Sequence, residues 1–113
     1  MINMKLSFVN ALFINLVFLT SYVAYADEKG KELYMKNCVV CHADDGSGLM
    51  PGVADLTGKK AWLALDKNVL SLQIKKGIQN ESGISMPAKG GNPNLSDDEI
   101  DKIIEFMRHE FAK

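Results

Sequence analysis

This 113-residue sequence shows no overall strand pattern, and no segment repeats. A strand-based domain and a repeat array are therefore excluded. Charge of one sign is also missing: 13 Lys and Arg against 14 Asp and Glu leave a formal −1, without the basic face that nucleic acid demands. Thiols and imidazoles are scarce, with two cysteines and two histidines. At most one intrachain disulfide can form, and no second cysteine pair exists to brace a small fold.

Long apolar runs are confined to the beginning. Met1 to Lys5 carries one positive charge, Leu6 to Ala24 is mostly apolar, and Ala24-Tyr25-Ala26 places small residues at both positions that signal peptidase reads. Residues 1–26 are expected to be a cleavable secretory signal peptide, with Asp27 as the new N-terminus and 27–113 as one domain. An uncleaved membrane anchor is the competing reading. All 14 acidic residues but only 12 of the 13 basic ones follow Ala26, so this domain carries −2 before any cofactor charge.

Asp27 to Asn37 reads as a short helix with acidic residues at its positive end. A glycine-rich loop spans Ala43 to Lys60, and such a loop in a compact domain is expected to wrap something. Lys60 to Lys76 reads as one or two short helices stopped by Gly77, followed by a second loop from Gly77 to Asn94. The clearest element comes last. Ser96 and Glu99 form an S-x-x-E capping box, and Ile100, Ile103, Ile104, Met107 and Phe111 follow at helical spacing, with His109 on the solvent side.

Both cysteines lie in Cys38-Val39-Val40-Cys41-His42. A zinc site needs four ligands, and beyond Cys38, Cys41 and His42 only His109 is a strong candidate, on the wrong face of its helix. A thioredoxin-like dithiol needs a βαβ context that is missing. A bare disulfide leaves His42 and both loops without a purpose. C-x-x-C-H as a covalent haem anchor accounts for all of them: residues i and i+3 share a helical face, so both thiols reach one side of a porphyrin while His42 reaches the iron. Disulfide and zinc site stay as the alternatives. A domain this small also needs the burial that a cofactor supplies.

With this anchor in Gly30–His42 (GKELYMKNCVVCH), the loop SMPAKGG at Ser85–Gly91 and LSDDEIDKIIEFM at Leu95–Met107, the chain resembles a class I cytochrome c of the small bacterial monohaem kind. The resemblance implies an all-α fold, with about four short helices and two long loops wrapped around one covalently bound haem. It also implies that the N- and C-terminal helices cross, with Gly30 and Tyr34 meeting Ile103 and Phe106. The proline whose carbonyl fixes the histidine in many relatives is replaced by Ala54, so Ala54 or a neighbour is expected to serve instead.

The resemblance further implies that Cys38 and Cys41 bind haem c, that His42 is the proximal iron ligand, and that Met86 is the distal one. Met50 follows His42 by only eight residues, an extended path of at most ~29 Å, and is expected to be a loop or haem-edge contact. Met35 and Met107 are expected to fill the core. Iron with both axial positions filled suits a one-electron carrier and not an enzyme. The expected setting is a monomer in the periplasm of a Gram-negative bacterium, without stable membrane insertion, serving redox partners that dock transiently at the exposed haem edge. Lys36, Lys59, Lys60, Lys75, Lys76 and Lys89 are candidates for the rim of that surface, against plain solvation. A haem-based sensor or peroxidase-like protein with a labile sixth ligand, or a dedicated subunit of a larger enzyme, are the alternatives.

Overall fold

The computed structural model describes residues 25, 27–58, 61–81 and 83–113. The signal-peptide expectation for residues 1–26 falls outside them, apart from Tyr25, as do Lys59 and Lys60. Among the described residues the fold is helical: α1 (27–37), α2 (Val39–His42), α3 (Ala61–Ala64), α4 (Lys67–Lys76), a 3-10 turn (Ala88–Gly91) and α5 (Asp97–Phe111). The helix count exceeds the expected four because the cysteine motif makes a one-turn helix of its own and the middle segment splits in two. Asp66 causes that split: its side chain accepts from the Asn68 backbone N–H at 2.8 Å and caps α4. No helix among the described residues is long and apolar enough to cross a membrane.

The C-terminal helix forms as its sequence dictates. Ser96 and Glu99 bond reciprocally across its N-terminus, and three acidic residues occupy its first turn. Its apolar stripe is buried from Ile100 to Phe111. Where α1 crosses it, a Cβ on Gly30 would overlap the Lys102 carbonyl oxygen and lie 2.9 Å from Phe106 Cβ. Only glycine lets the backbones approach this closely. Beside the crossing, Tyr34, Phe106 and Phe111 form a triangle of tilted and edge-on rings with centroids 5.2–5.6 Å apart. The expected crossing is present, with Phe106 at the close contact and Ile103 buried one turn away. Arg108 holds α3 against α5: Nε donates to the Leu63 carbonyl at 3.0 Å and Nη2 donates to that of Leu65.

Met35 departs from expectation. It lies on the outer face of α1 and is 43% exposed, whereas Met107 is buried. Its side of the helix faces solvent, while Leu33 and Tyr34 face the core.

Candidate cofactor site

The cysteine motif is shaped by a break between two helices. Cys38 departs from helical geometry (φ −122°) after its N–H donates to the Tyr34 carbonyl at 2.8 Å. Its own carbonyl then accepts from the N–H groups of Cys41 and His42, at 3.2 and 3.0 Å. One helical turn results, and Cys38, Cys41 and His42 all line the same cavity. Ala43 ends the turn at φ +66°, a conformation costly for a non-glycine residue. The buried Tyr34 hydroxyl donates to its carbonyl at 2.7 Å and holds it there. Burial, reinforced by the Cys38, Asp45 and Asp44 charges, pushes the Tyr34 phenol above its ordinary range, so it stays a donor.

The loop after the motif returns to fix the histidine. Gly48 and Leu49 donate N–H bonds to the carbonyls of His42 and Cys41, both at 2.9 Å, and Leu56 donates to Gly46 at 2.8 Å. This folding brings the Ala54 carbonyl 3.2 Å from His42 Nδ1. A carbonyl can only accept, so Nδ1 carries the hydrogen and Nε2 keeps its lone pair for a metal. Ala54 thus orients the imidazole through its backbone carbonyl. Burial lowers the His42 pKa, and the Ala54 bond pulls weakly the other way. The Cys38 thiol is pushed up to about 11, first by burial and then by Cys41. The two cysteines are not joined as a disulfide.

Met86 reaches the same cavity from the second loop. Its backbone pairs with Ile78 in an isolated antiparallel bridge, Ile78 N–H to the Met86 carbonyl at 3.0 Å and Met86 N–H to the Ile78 carbonyl at 2.9 Å. Gly77 makes this possible: at φ +75° its missing Cβ would lie 2.5 Å from the Met86 carbonyl oxygen and 2.8 Å from the Ala88 nitrogen. The far end of the loop is tied to the cysteine motif. Asn92 Nδ2 donates to Asn37 Oδ1 at 2.9 Å, and Gly90 leaves room for the Asn37 carbonyl, which a Cβ would approach to 2.8 Å. Lys89 donates to the Leu95 and Pro93 carbonyls, and Lys75 pairs with Asp97, so these two rim candidates are engaged within the fold. Sequence reasoning treated Gly77 only as a helix stop and missed the Asn37–Asn92 link. A glycine ahead of the Met86 loop was the available signal.

The cavity measures about 380 Å³, within the usual range of about 300–1,000 Å³ for cofactor and ligand sites. Leu56, Leu63, Leu70, Ile74, Ile103 and Met107 make much of its wall, so the hydrophobic core continues directly into it. Two thiols, one imidazole with Nε2 available and one thioether fit haem c: attachment points, a nitrogen ligand and a soft sulfur ligand on an apolar surface. Met50 is not among the lining residues; it sits on the loop, 39% exposed. His109 lies away from the cavity beside Asp27 and Glu110. The described residues thus bring no fourth zinc ligand to the cysteine motif.

Comparison with known proteins agrees with this geometry. Residues 28–110 match the Cytochrome c family model. The chain is 35% identical over 86 residues to cytochrome c-555 of Chlorobaculum thiosulfatiphilum, covering 74% of this chain and 94% of that one. Its identity to cytochrome c-555 of Chlorobaculum tepidum is 33% over 105 residues, covering 88% and 93%. A third similarity, 31% over 85 residues, is to the cytochrome c subunit of alcohol dehydrogenase (quinone) from Gluconobacter oxydans; it spans 70% of this chain and 17% of that protein. The motif, the apolar cavity, the helix crossing and these relatives make the chain a member of the cytochrome c family, an all-helical class I c-type cytochrome that binds haem c with its iron and transfers electrons.

Proposed function

We propose that this protein is an exported one-electron carrier and not an enzyme, in which Cys38 and Cys41 form the haem thioethers while His42 and Met86 ligate the iron. The observation that carries the reading is the convergence of His42 and Met86, 44 residues apart, on the apolar cavity that Cys38 and Cys41 also line. Bound haem c supplies a one-electron Fe(III)/Fe(II) couple. His42 is held by the Ala54 carbonyl and Met86 by its bridge to Ile78, so neither ligand needs to move when the charge on the iron changes. A thioether opposite an imidazole favours the reduced state, and the apolar wall does the same by disfavouring added positive charge. With both axial positions supplied by the chain, oxygen and peroxide have no place to bind.

Export rests on the segment 1–26, with cleavage after Ala26 and a periplasmic location in a Gram-negative bacterium. Redox proteins serve as partners and dock transiently through a small interface. A second reading, favoured by the likeness to the Gluconobacter subunit, is a permanent redox subunit of a dehydrogenase. Gel filtration of a native periplasmic extract separates the two: a monomeric haem peak supports the carrier, and co-elution with a large dehydrogenase overturns it.

Two consequences are measurable. Gly77→Ala is expected to push residues 86–88 away from α4 and weaken the sulfur ligand, seen as partial loss of the near-infrared sulfur-to-iron band; an unchanged band contradicts the role given to Gly77. The chain prepared without haem is expected to be largely unfolded, since the cavity wall is also core. A cooperative melt of that haem-free chain, followed by circular dichroism, is the contrary result.

A further inference from the structure

Outside the cofactor cavity, the described residues contain one cluster of metal-binding side chains: Asp27, His109 and Glu110, where the first and last helices meet. His109 Nδ1 lies 3.2 Å from Glu110 Oε1 and 3.6 Å from Asp27 Oδ2, and one ligand atom from each residue falls within 4.8 Å of the others. Zinc bonds of about 2.0–2.2 Å to nitrogen and oxygen place neighbouring ligand atoms roughly 3–4 Å apart by simple geometry, so small side-chain rotations close the three around one ion. Such rotations are open to them, since the His109 side chain is 67% exposed and those of Asp27 and Glu110 about 40%.

The surroundings favour a cation. A surface cleft beside the cluster is lined by Asp27, Glu28, Asp44 and Glu110, with Lys31 as its one basic residue. Lys113 faces Glu110 through the other carboxylate oxygen, Oε2, at 3.6 Å, which leaves Oε1 toward His109. Two carboxylates balance a divalent charge, and the imidazole selects zinc-like ions over magnesium or calcium, which prefer oxygen alone.

The geometry points to a surface site for a zinc-class divalent transition metal, formed by Asp27, His109 and Glu110, that staples the N-terminal helix to the C-terminal one. Water completes the coordination. Cleavage after Ala26 adds a further donor, because the new α-amine sits on Asp27 itself and chelates together with its carboxylate. The three side-chain ligands are present with or without that cleavage. The ion binds the folded crossing and not the separated helices, so it stabilises the fold by mass action.

The test is a calorimetric titration of the haem-loaded, chelator-treated protein with zinc chloride, with magnesium chloride in parallel. The chain has only two histidines, and His42 belongs to the cofactor site, so His109→Gln removes the other imidazole from an exposed position without threatening the fold. One equivalent of zinc is expected to bind saturably and raise the melting temperature, with no such rise in magnesium. Losing even an outer partner of a metal site typically costs about tenfold or more in affinity, so His109→Gln should bind at least about tenfold more weakly, and Asp27→Asn should weaken binding too. Absence of saturable zinc binding, or equal zinc affinity in His109→Gln, overturns the site.

Discussion

Replacing Met86 by alanine is expected to abolish the near-infrared sulfur-to-iron band, open the ferrous protein to carbon monoxide and lower the reduction potential by roughly 100 mV or more, within the about 0.8 V that axial ligation spans. The physical reason is that a thioether is a soft ligand that favours Fe(II), and the water that replaces it is not. The same substitution at Met50 is expected to change none of these, because Met50 sits on the loop surface and does not line the cavity. The pair of variants matters more than either alone. Their potentials, titrated against mediators, and their carbon monoxide spectra distinguish the two methionines directly; the opposite pattern would assign the ligand to Met50. Both variants keep Cys38 and Cys41, so the haem stays attached and remains available as the reporter.

Among the single substitutions, the largest expected effect on stability is at Gly30. Alanine in a helix interior gains about 1 kcal/mol over glycine in propensity, which at an open position would stabilise the protein. At Gly30 the added Cβ meets the Lys102 carbonyl oxygen and Phe106 Cβ, and the first of these is backbone, unable to rotate away. Overpacking against such a wall costs about 3 kcal/mol, the upper end of its usual range, so the overlap wins by about 2 kcal/mol. For a domain of this size, Gly30→Ala should then lower the melting temperature by about 8–16 °C. The potential should change little, since neither Gly30 nor Lys102 nor Phe106 lines the cavity. A melting temperature equal to or above that of the wild type would mean that the helices separate at little cost, and that their close approach is not a source of stability.

The two ends of the domain were the parts most open to sequence reasoning. Cys38, Cys41 and His42 are adjacent in the chain, and one turn of helix is enough to put them on one surface. The last helix carries its capping box and apolar stripe within sixteen residues, from Ser96 to Phe111, so local rules sufficed. Met86 was singled out by its distance from His42 and the resemblance of its loop, but what places it at the cavity is non-local: Gly77 at positive φ, the bridge to Ile78, and the tie from Asn92 to Asn37. Position narrowed the carbonyl facing His42 to Ala54 or a neighbour and no further, because a backbone carbonyl carries no side-chain signature, and the 3.2 Å approach of Ala54 follows from how the intervening glycines turn. Met35 shows the reverse error: an apolar residue inside a helix was assigned to the core, although the face it occupies is decided by Leu33 and Tyr34 beside it.

The central claim is that His42 and Met86 hold the iron from both sides, and one experiment addresses it most directly. Absorption spectra of the purified wild-type protein would be recorded oxidised and reduced, extended into the near infrared, and repeated on the reduced form under carbon monoxide at neutral pH. The account predicts the weak sulfur-to-iron band in the oxidised spectrum and a reduced spectrum that carbon monoxide leaves unchanged. A missing band together with immediate carbon monoxide binding would contradict it, by showing an iron whose sixth position is open.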